Sequence, residues 1–322
     1  MTIVPVLIAA MFASLCVSVG SARADDYPFR PIKMIVSFPA GSGSDQSARN
    51  AANYITRQTG QPVIVDNRPG ANGFIAARLA AQAAPDGYTV FVTTMTTQSV
   101  NPHLYRKLPY DPRKDFVPVA MLSRSAMVLI VRNQPDQPNA LSELTSRLKV
   151  PTAKISFGSG NMSSFLAAET YKQLISGSAV HVPYKGNPQA LTDLLGGSID
   201  FMFADLTTGV PLVLQGRLRA LAVTGSVRVS TLRQVPTMRE LGAPVDLGVW
   251  TGAYLPARTP PAVVSRLNEL LIASLQSKES QDRFRLTGGD AVPMNPTEFE
   301  KFNEEELTLW GQAVRRAGIQ PE

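Results

Sequence analysis

The sequence has 322 residues, of which 44% are hydrophobic and 17% are charged, and its formal net charge is +6. This composition is typical of a globular protein, and the length is sufficient for two domains. Basic residues are scattered along the chain, which argues against nucleic-acid binding, although a mild positive field would attract small anions. With one cysteine (Cys16) and two histidines (His103 and His181), the chain offers little for a thiol nucleophile, a metal centre or a histidine triad. It also lacks a G-x-S-x-G elbow and a Walker-type loop.

The first 24 residues predict a secretory signal. The apolar run Ile3–Val19 is shorter than the roughly 20 residues of a membrane span, and Ala22 and Ala24 fit an A-x-A cleavage site. The lack of a basic residue before the run is atypical. Lipoprotein processing at Cys16 is disfavoured by the bulk of Leu15. We therefore expect cleavage after Ala24 and export to the periplasm as a soluble protein.

The segment Ile32–Arg49 reads as a buried strand, a glycine-rich turn and a helix start, in that order. The strand breaks at Pro39, and Ser44 or Asp45 is the expected helix cap. The first N–H groups of a helix lack partners within the helix, and the aligned peptide dipoles favour negative charge there. We expect this loop to bind an anion such as a carboxylate.

A second unit of the same kind occupies Ile155–Leu166, where Gly158-Ser159-Gly160 follows a strand pattern and Asn161, Ser163 or Ser164 could cap the next helix. Either loop alone is more simply an ordinary strand-to-helix turn. Two such loops in one exported chain favour a paired anion site between two domains.

Strand and helix patterns alternate along most of the chain, which predicts α/β architecture with parallel sheets covered by helices. The predicted strands are Ile32–Phe38, Pro62–Val65, Thr89–Thr93, Ala126–Val131, Lys154–Phe157, Ala179–Val182, Phe201–Phe203, Ala220–Val223 and Val249–Tyr254. The predicted helices include Asp45–Gln58, Gly73–Ala83, Ser163–Ile175, Pro188–Leu195, Pro260–Gln276 and Pro296–Ala317.

A dinucleotide site is the alternative for the first loop, since Gly41-x-Gly43 follows a strand and Asp66 ends the next one. The third glycine of that fingerprint is missing, because Gln46 stands in its place.

The chain resembles the substrate-binding receptors of tripartite tricarboxylate transporters, the Bug family. The resemblance rests on YPFRPIKMIVSFPAGSGSD, VDNRPGANG, PDGYT, NPHLYRKLPYDPRKDFVPVA, HVPYKGNPQALTDLLGGSID, GRLRALAVT and VPTMREL, in the family's order. It implies a two-domain periplasmic-binding-protein (Venus flytrap) architecture, each domain a largely parallel sheet flanked by helices. Residues 25–123 plus 250–322 would form domain I, and residues 124–249 domain II.

The resemblance also implies that backbone amides and hydroxyls of two facing loops hold a ligand carboxylate. The expected ligand-binding residues are Phe38, Ala40, Gly41, Ser42, Gly43, Ser44, Asp45, Thr93, Thr94, Gly158, Ser159, Gly160, Asn161, Ser163, Ser164, Tyr184 and Asp205.

Several of these residues have a plainer interpretation. Asp45 and Asp205 could serve as helix caps without binding a ligand, and Tyr184 could be a packing residue. Trp250 is better explained as interdomain core, and Glu304–Glu306 as a solvated helix face.

Two departures from the family pattern bear on the ligand. Ser42 replaces the second of two paired glycines, and Phe165 stands where a histidine is expected. If Phe165 and the methionines Met95, Met162 and Met202 border the cleft, we expect the ligand to be an aromatic or apolar carboxylate. If these side chains belong to the core, they give no information about the ligand.

The expected function is that of a monomeric receptor that binds a small carboxylate and delivers it to membrane transporter subunits, with no cofactor, no metal and no catalysis. A sensor subunit for a signalling partner would use the same cleft. An exported hydrolase or lyase with Asp45 or Asp205 as base is the third reading, but the sequence shows no positioned nucleophile for it.

Overall fold

A computed structural model of the protein describes residues 27–322, so the predicted signal segment lies outside the described residues. The strands are β1 (Ile32–Val36), β2 (Val63–Asn67), β3 (Thr89–Thr94), β4 (Phe116–Ser125), β5 (Met127–Arg132), β6 (Ser156–Ser159), β7 (Val180–Pro183), β8 (Phe201–Asp205), β9 (Leu218–Val223) and β10 (Val249–Pro256). The α-helices are α1 (Gly43–Thr59), α2 (Phe74–Ala81), α3 (Asn101–Leu104), α4 (Leu141–Leu148), α5 (Met162–Ile175), α6 (Asn187–Gly196), α7 (Leu206–Leu214), α8 (Pro261–Gln276), α9 (Lys278–Thr287) and α10 (Pro296–Arg316). Short 3-10 turns lie at Ala71–Gly73 and Ser230–Leu232, and a π-helix covers Thr96–Val100.

The strands form two five-stranded sheets of matching design. The first has the order β2-β1-β3-β10-β4 and the second the order β7-β6-β8-β5-β9. In each sheet one strand, β10 or β5, runs antiparallel to both of its neighbours, while β1–β3 and β6–β8 pair in parallel. The prediction of α/β architecture with largely parallel sheets is confirmed.

The chain crosses between the sheets twice. It leaves the first sheet at the end of β4, enters the second in β5 after the single residue Ala126, and returns at Val249. We call the first sheet with its helices lobe 1, and the second with its helices lobe 2.

The strand β4 was not predicted, although every predicted strand is present within a few residues of its expected bounds. Its sequence contains Pro118, which lacks an N–H for a sheet hydrogen bond and argues against a central strand. β4 lies at the edge of its sheet, where such a proline is tolerated. The prediction also lacks the helices α3, α4, α7 and α9 and the π-helix.

The C-terminal helices α8 and α10 pack on lobe 1, where α10 contacts β4 and the π-helix, whereas α9 contacts α7 of lobe 2. Within α10 the carboxylate of Glu306 is buried and its Oε2 accepts hydrogen bonds from the indole N–H groups of Trp250 (2.8 Å) and Trp310 (2.7 Å). The expectation of a solvated face at Glu304–Glu306 is therefore wrong for Glu306. Trp250 itself is buried, as expected for core.

Candidate ligand-binding cleft

The first loop leads from β1 into α1, which begins at Gly43. Ser42, and not Ser44 or Asp45 as predicted, is the N-cap: its hydroxyl accepts a hydrogen bond from the Asp45 N–H at 3.3 Å. Phe38, Ser42 and Ser44 are buried, whereas Ala40 and Gly41 are exposed. The first turn of α1 thus directs its N–H groups into a polar loop, as an anion cradle requires.

Asp45 holds this loop in shape. Its carboxylate accepts hydrogen bonds from the Gly41 N–H (2.9 Å), from Arg49 Nε (3.0 Å) and from Asn67 Nδ2 (2.9 Å). Burial alone would raise the pKa of Asp45, but the hydrogen bonds from Arg49, Gly41 and Asn67 hold it below its usual value. Because these donors satisfy the carboxylate, Asp45 acts as a positioning residue rather than as a base.

Hydroxyl groups continue the polar surface at the carboxyl end of β3. Thr93 Oγ1 lies 2.8 Å from Ser37 Oγ and 2.6 Å from Thr97 Oγ1, and all three side chains are buried. Thr94 Oγ1 accepts from the Thr96 N–H at 3.2 Å. Thr96 and Thr97 belong to the π-helix, a feature often found at functional sites, and their sequence carries no pattern that would have predicted it.

The second loop leads from β6 into α5, whose N-cap is Asn161, one of the three candidates from the sequence. Asn161 Oδ1 accepts from the Ser164 N–H at 2.8 Å and from Ser163 Oγ at 2.8 Å. The Ser164 hydroxyl donates to the carbonyl of Phe203. The hydroxyls of Ser163 and Ser164 are thus engaged within lobe 2.

The glycines of the second loop allow close packing. A methyl group added at Gly158 would lie 2.4 Å from Cδ1 of Ile199, and one added at Gly160 would lie 2.1 Å from the backbone nitrogen of Asn187. Gly160 therefore lets the N-terminus of α6 approach the loop, a contact that the sequence did not reveal.

Ser159 and Tyr184 point their hydroxyls into lobe 2. Ser159 Oγ lies 2.7 Å from His181 Nε2, which agrees with the expectation of His181 as a hydrogen-bonded strand residue. The Tyr184 hydroxyl donates to Asp193 Oδ2 at 2.6 Å. These hydroxyls are therefore not brought together with those of the first loop.

The two lobes contact each other close to both loops. The Met162 N–H at the start of α5 faces Thr96 Oγ1 at 3.4 Å. A methyl group added at Gly43 would lie 3.3 Å from Asp205 Oδ2, so the first turn of α1 approaches this lobe 2 carboxyl closely.

Asp205 lies at the end of β8, in the N-cap position of α7, but its side chain makes no capping hydrogen bond. Instead Oδ1 accepts from Asn161 Nδ2 at 3.1 Å. Burial raises the pKa of Asp205 to about 6, and the amides of Asn161 and Asn187 oppose that rise. Asp205 is therefore a buried carboxyl that ionises less readily than an exposed one.

The side chains behind the expectation of an aromatic ligand belong to the interior. Phe165 stacks on Phe157 and tilts over His181 within lobe 2. Met95 and Met202 are fully buried, and half-buried Met162 packs against the core. This packing favours the interpretation of these residues as core, and the preference for an aromatic carboxylate stays a prediction.

Among residues 27–322 there is no cluster of three or more His, Cys, Asp or Glu side chains that could hold a metal ion. No helix in this part of the chain is long and apolar enough to span a membrane.

Comparison with known proteins identifies the family. The model for "Tripartite tricarboxylate transporter family receptor" matches residues 47–319. The chain belongs to this family. BugT of Bordetella pertussis is 34% identical over 300 residues, which cover 92% of this chain and 91% of BugT.

Solved structures agree with this assignment. Rpa4515 of Rhodopseudomonas palustris, solved with adipate, is 30% identical and superposes with a TM-score of 0.88 over 92% of this chain and 100% of that one. MatC of the same species, solved with bound malate, is 31% identical and has a TM-score of 0.82 over 89% of this chain and 100% of that one. This tripartite tricarboxylate transporter receptor has the periplasmic-binding-protein fold, and members of its family are periplasmic solute-binding receptors rather than enzymes.

Proposed function

We propose that this receptor binds a small carboxylate at the junction of the lobes, closes on it and delivers it to the membrane subunits of a tripartite transporter. In this proposal, the two predicted domains, domain I (25–123 and 250–322) and domain II (124–249), move towards each other when the receptor closes. The chain would act in the periplasm as a monomer after cleavage at Ala24, without a cofactor and without chemistry on the ligand.

The observation that carries this proposal is the convergence of helix N-termini from both lobes. The Ser42-capped start of α1 in lobe 1 lies beside the starts of α6 and α7 in lobe 2, and the Asn161-capped start of α5 contacts the π-helix of lobe 1. Free N–H groups and helix dipoles at these ends favour a negative charge without an arginine or lysine.

Two relatives support a carboxylate as the ligand. Rpa4515 was solved with adipate and MatC with malate, and both superpose on nearly the whole described chain. Both ligands are aliphatic dicarboxylates, which fits a site lined by hydroxyls and backbone amides better than an apolar one.

Thermal shift against a panel of carboxylates tests the proposal. A receptor is stabilised saturably, by RT ln(1 + [L]/Kd), and mass spectrometry recovers the acid unchanged. Conversion of the acid would indicate an enzyme, and absence of any stabilisation would refute carboxylate binding.

The variant Ser44→Pro locates the site. Ser44 is the second residue of α1, so proline removes one free N–H there without breaking a helical hydrogen bond. We expect affinity to fall by about 1–3 kcal/mol, the effect of losing one donor to a charged group. Unchanged affinity by calorimetry would place the carboxylate elsewhere.

A further inference from the structure

Asn187, the first residue of α6, carries a buried side chain whose hydrogen-bonding groups are unused. It is 2% exposed, and neither Oδ1 nor Nδ2 has a hydrogen-bond partner among residues 27–322. An unpaired buried amide is unfavourable by about 1–3 kcal/mol. Such a group is therefore expected to have a partner that arrives with the ligand.

Asn187 lies at the junction of the lobes. Its Oδ1 lies 2.4 Å from where a methyl group on Gly160 would be, so it abuts the second loop. The next residue, Pro188, lies 3.7 Å from the corresponding point at Gly41, so the first loop is also adjacent. Asn187 thus stands between the two loops that we propose to hold the carboxylate.

Asp205 lies on the same side of the junction. The Asn187 amide lies close enough to this carboxyl to lower its pKa as a weak hydrogen-bond donor would, but the contact falls outside the distance and angle of an ordinary hydrogen bond. Asp205 Oδ1 is satisfied by Asn161, whereas Oδ2 is directed towards Gly43 of lobe 1. The site therefore offers two acceptors, Asn187 Oδ1 and Asp205 Oδ2, beside one donor, Asn187 Nδ2.

This set of groups discriminates between kinds of carboxylate. A plain carboxylate pairs with Nδ2, but it leaves Asn187 Oδ1 without a donor and brings negative charge towards Asp205. A carboxylate with a hydroxyl or ammonium group on the neighbouring carbon supplies the missing donor to these acceptors. Sites built to hydrogen-bond a ligand group reject the analogue that lacks it, because their own polar groups are left unpaired.

We propose, on the basis of the function proposed above, that Asn187 and Asp205 form a specificity-determining part of the site that selects 2-hydroxy or 2-amino carboxylates over unsubstituted acids. The two loops bind the carboxylate itself, and this pair reads the substituent next to it.

Matched acids test the inference on the full chain. Calorimetry compares L-lactate with propionate, and L-malate and L-aspartate each with succinate, for the wild type and for Asn187→Ala. In at least one comparison the wild type should prefer the substituted acid by tenfold or more, and Asn187→Ala should reduce the preference to within about twofold. Gln189→Ala, at an exposed position on the same helix, is the control and should keep the preference.

Asn187→Ser, which is compatible with a helix start, provides a second variant if alanine disturbs folding, and it should also weaken the preference. Equal wild-type affinity for the members of every matched comparison, or a preference that survives both substitutions, would overturn this inference alone. Failure of every acid to bind the wild type would overturn the proposed function together with it.

Discussion

Replacing Asp205 with asparagine should stabilise the protein at neutral pH. Burial raises the pKa of this carboxyl from 3.8 to about 6, so the folded state holds the proton more tightly than the unfolded state. At about 1.4 kcal/mol per pH unit, this difference corresponds to about 3 kcal/mol. The side chain makes no helix-capping hydrogen bond that the substitution would remove.

The sign of the pH dependence follows from proton linkage. Below the unfolded value of 3.8 both states are protonated, and the carboxyl imposes no penalty. As pH rises from 3.8 through about 6 the folded state is penalised progressively, and above that range the penalty is complete. The neighbouring groups Asn161, Asn187 and Gly43 are uncharged and do not titrate in this range.

Urea denaturation at intervals from pH 4 to pH 8 measures this effect. The free energy of unfolding of Asp205→Asn should exceed that of the wild type only slightly at pH 4, and by at most about 3 kcal/mol above pH 7. Asp136→Asn, at an exposed aspartate of lobe 2, is the control and should show no such trend. Parallel stability curves for Asp205→Asn and wild type would show that this carboxyl is hydrated in solution, and would refute the reasoning. The carboxylate is thus expected to lower stability while contributing to ligand choice, a trade-off common at functional sites.

Three further outcomes are expected. Gly160→Ala should destabilise the protein or weaken binding by about 1–3 kcal/mol, because the methyl group would overlap the start of α6; Gly196→Ala, with open space around it, should do neither. Glu306→Leu should lower the free energy of unfolding by about 2–4 kcal/mol, since it leaves the buried indole N–H groups of Trp250 and Trp310 unpaired; a loss below 1 kcal/mol by fluorescence-monitored denaturation would contradict this. Saturating ligand should reduce the radius of gyration in X-ray scattering, because closure requires that the closed form binds more tightly; an unchanged value would argue against lobe movement.

The sequence by itself determined the α/β class, the family resemblance and most of the strands and helices in their order, but not β4 or several of the shorter helices. Hydrophobic periodicity and turn residues are local properties, so β1, the glycine-rich loop and α1 could be recognised within Ile32–Arg49. The sequence could not identify the N-cap of α1, because Ser42, Ser44 and Asp45 are all residue types that cap helices. Only the backbone geometry selects Ser42.

Only the tertiary structure decided which side chains face one another. Asn187 and Thr96 follow ordinary loop and strand-end patterns, yet the packing of the lobes brings both to the junction. Glu306 reads as one of three consecutive surface acids until two indoles, one from a strand 56 residues away, are seen to converge on it. The sequence left open whether Phe165 faces the cleft or the core, and the structure stacks its ring on Phe157 within lobe 2. These outcomes depend on contacts between residues far apart in the chain, and such contacts leave no periodic signal in the local sequence.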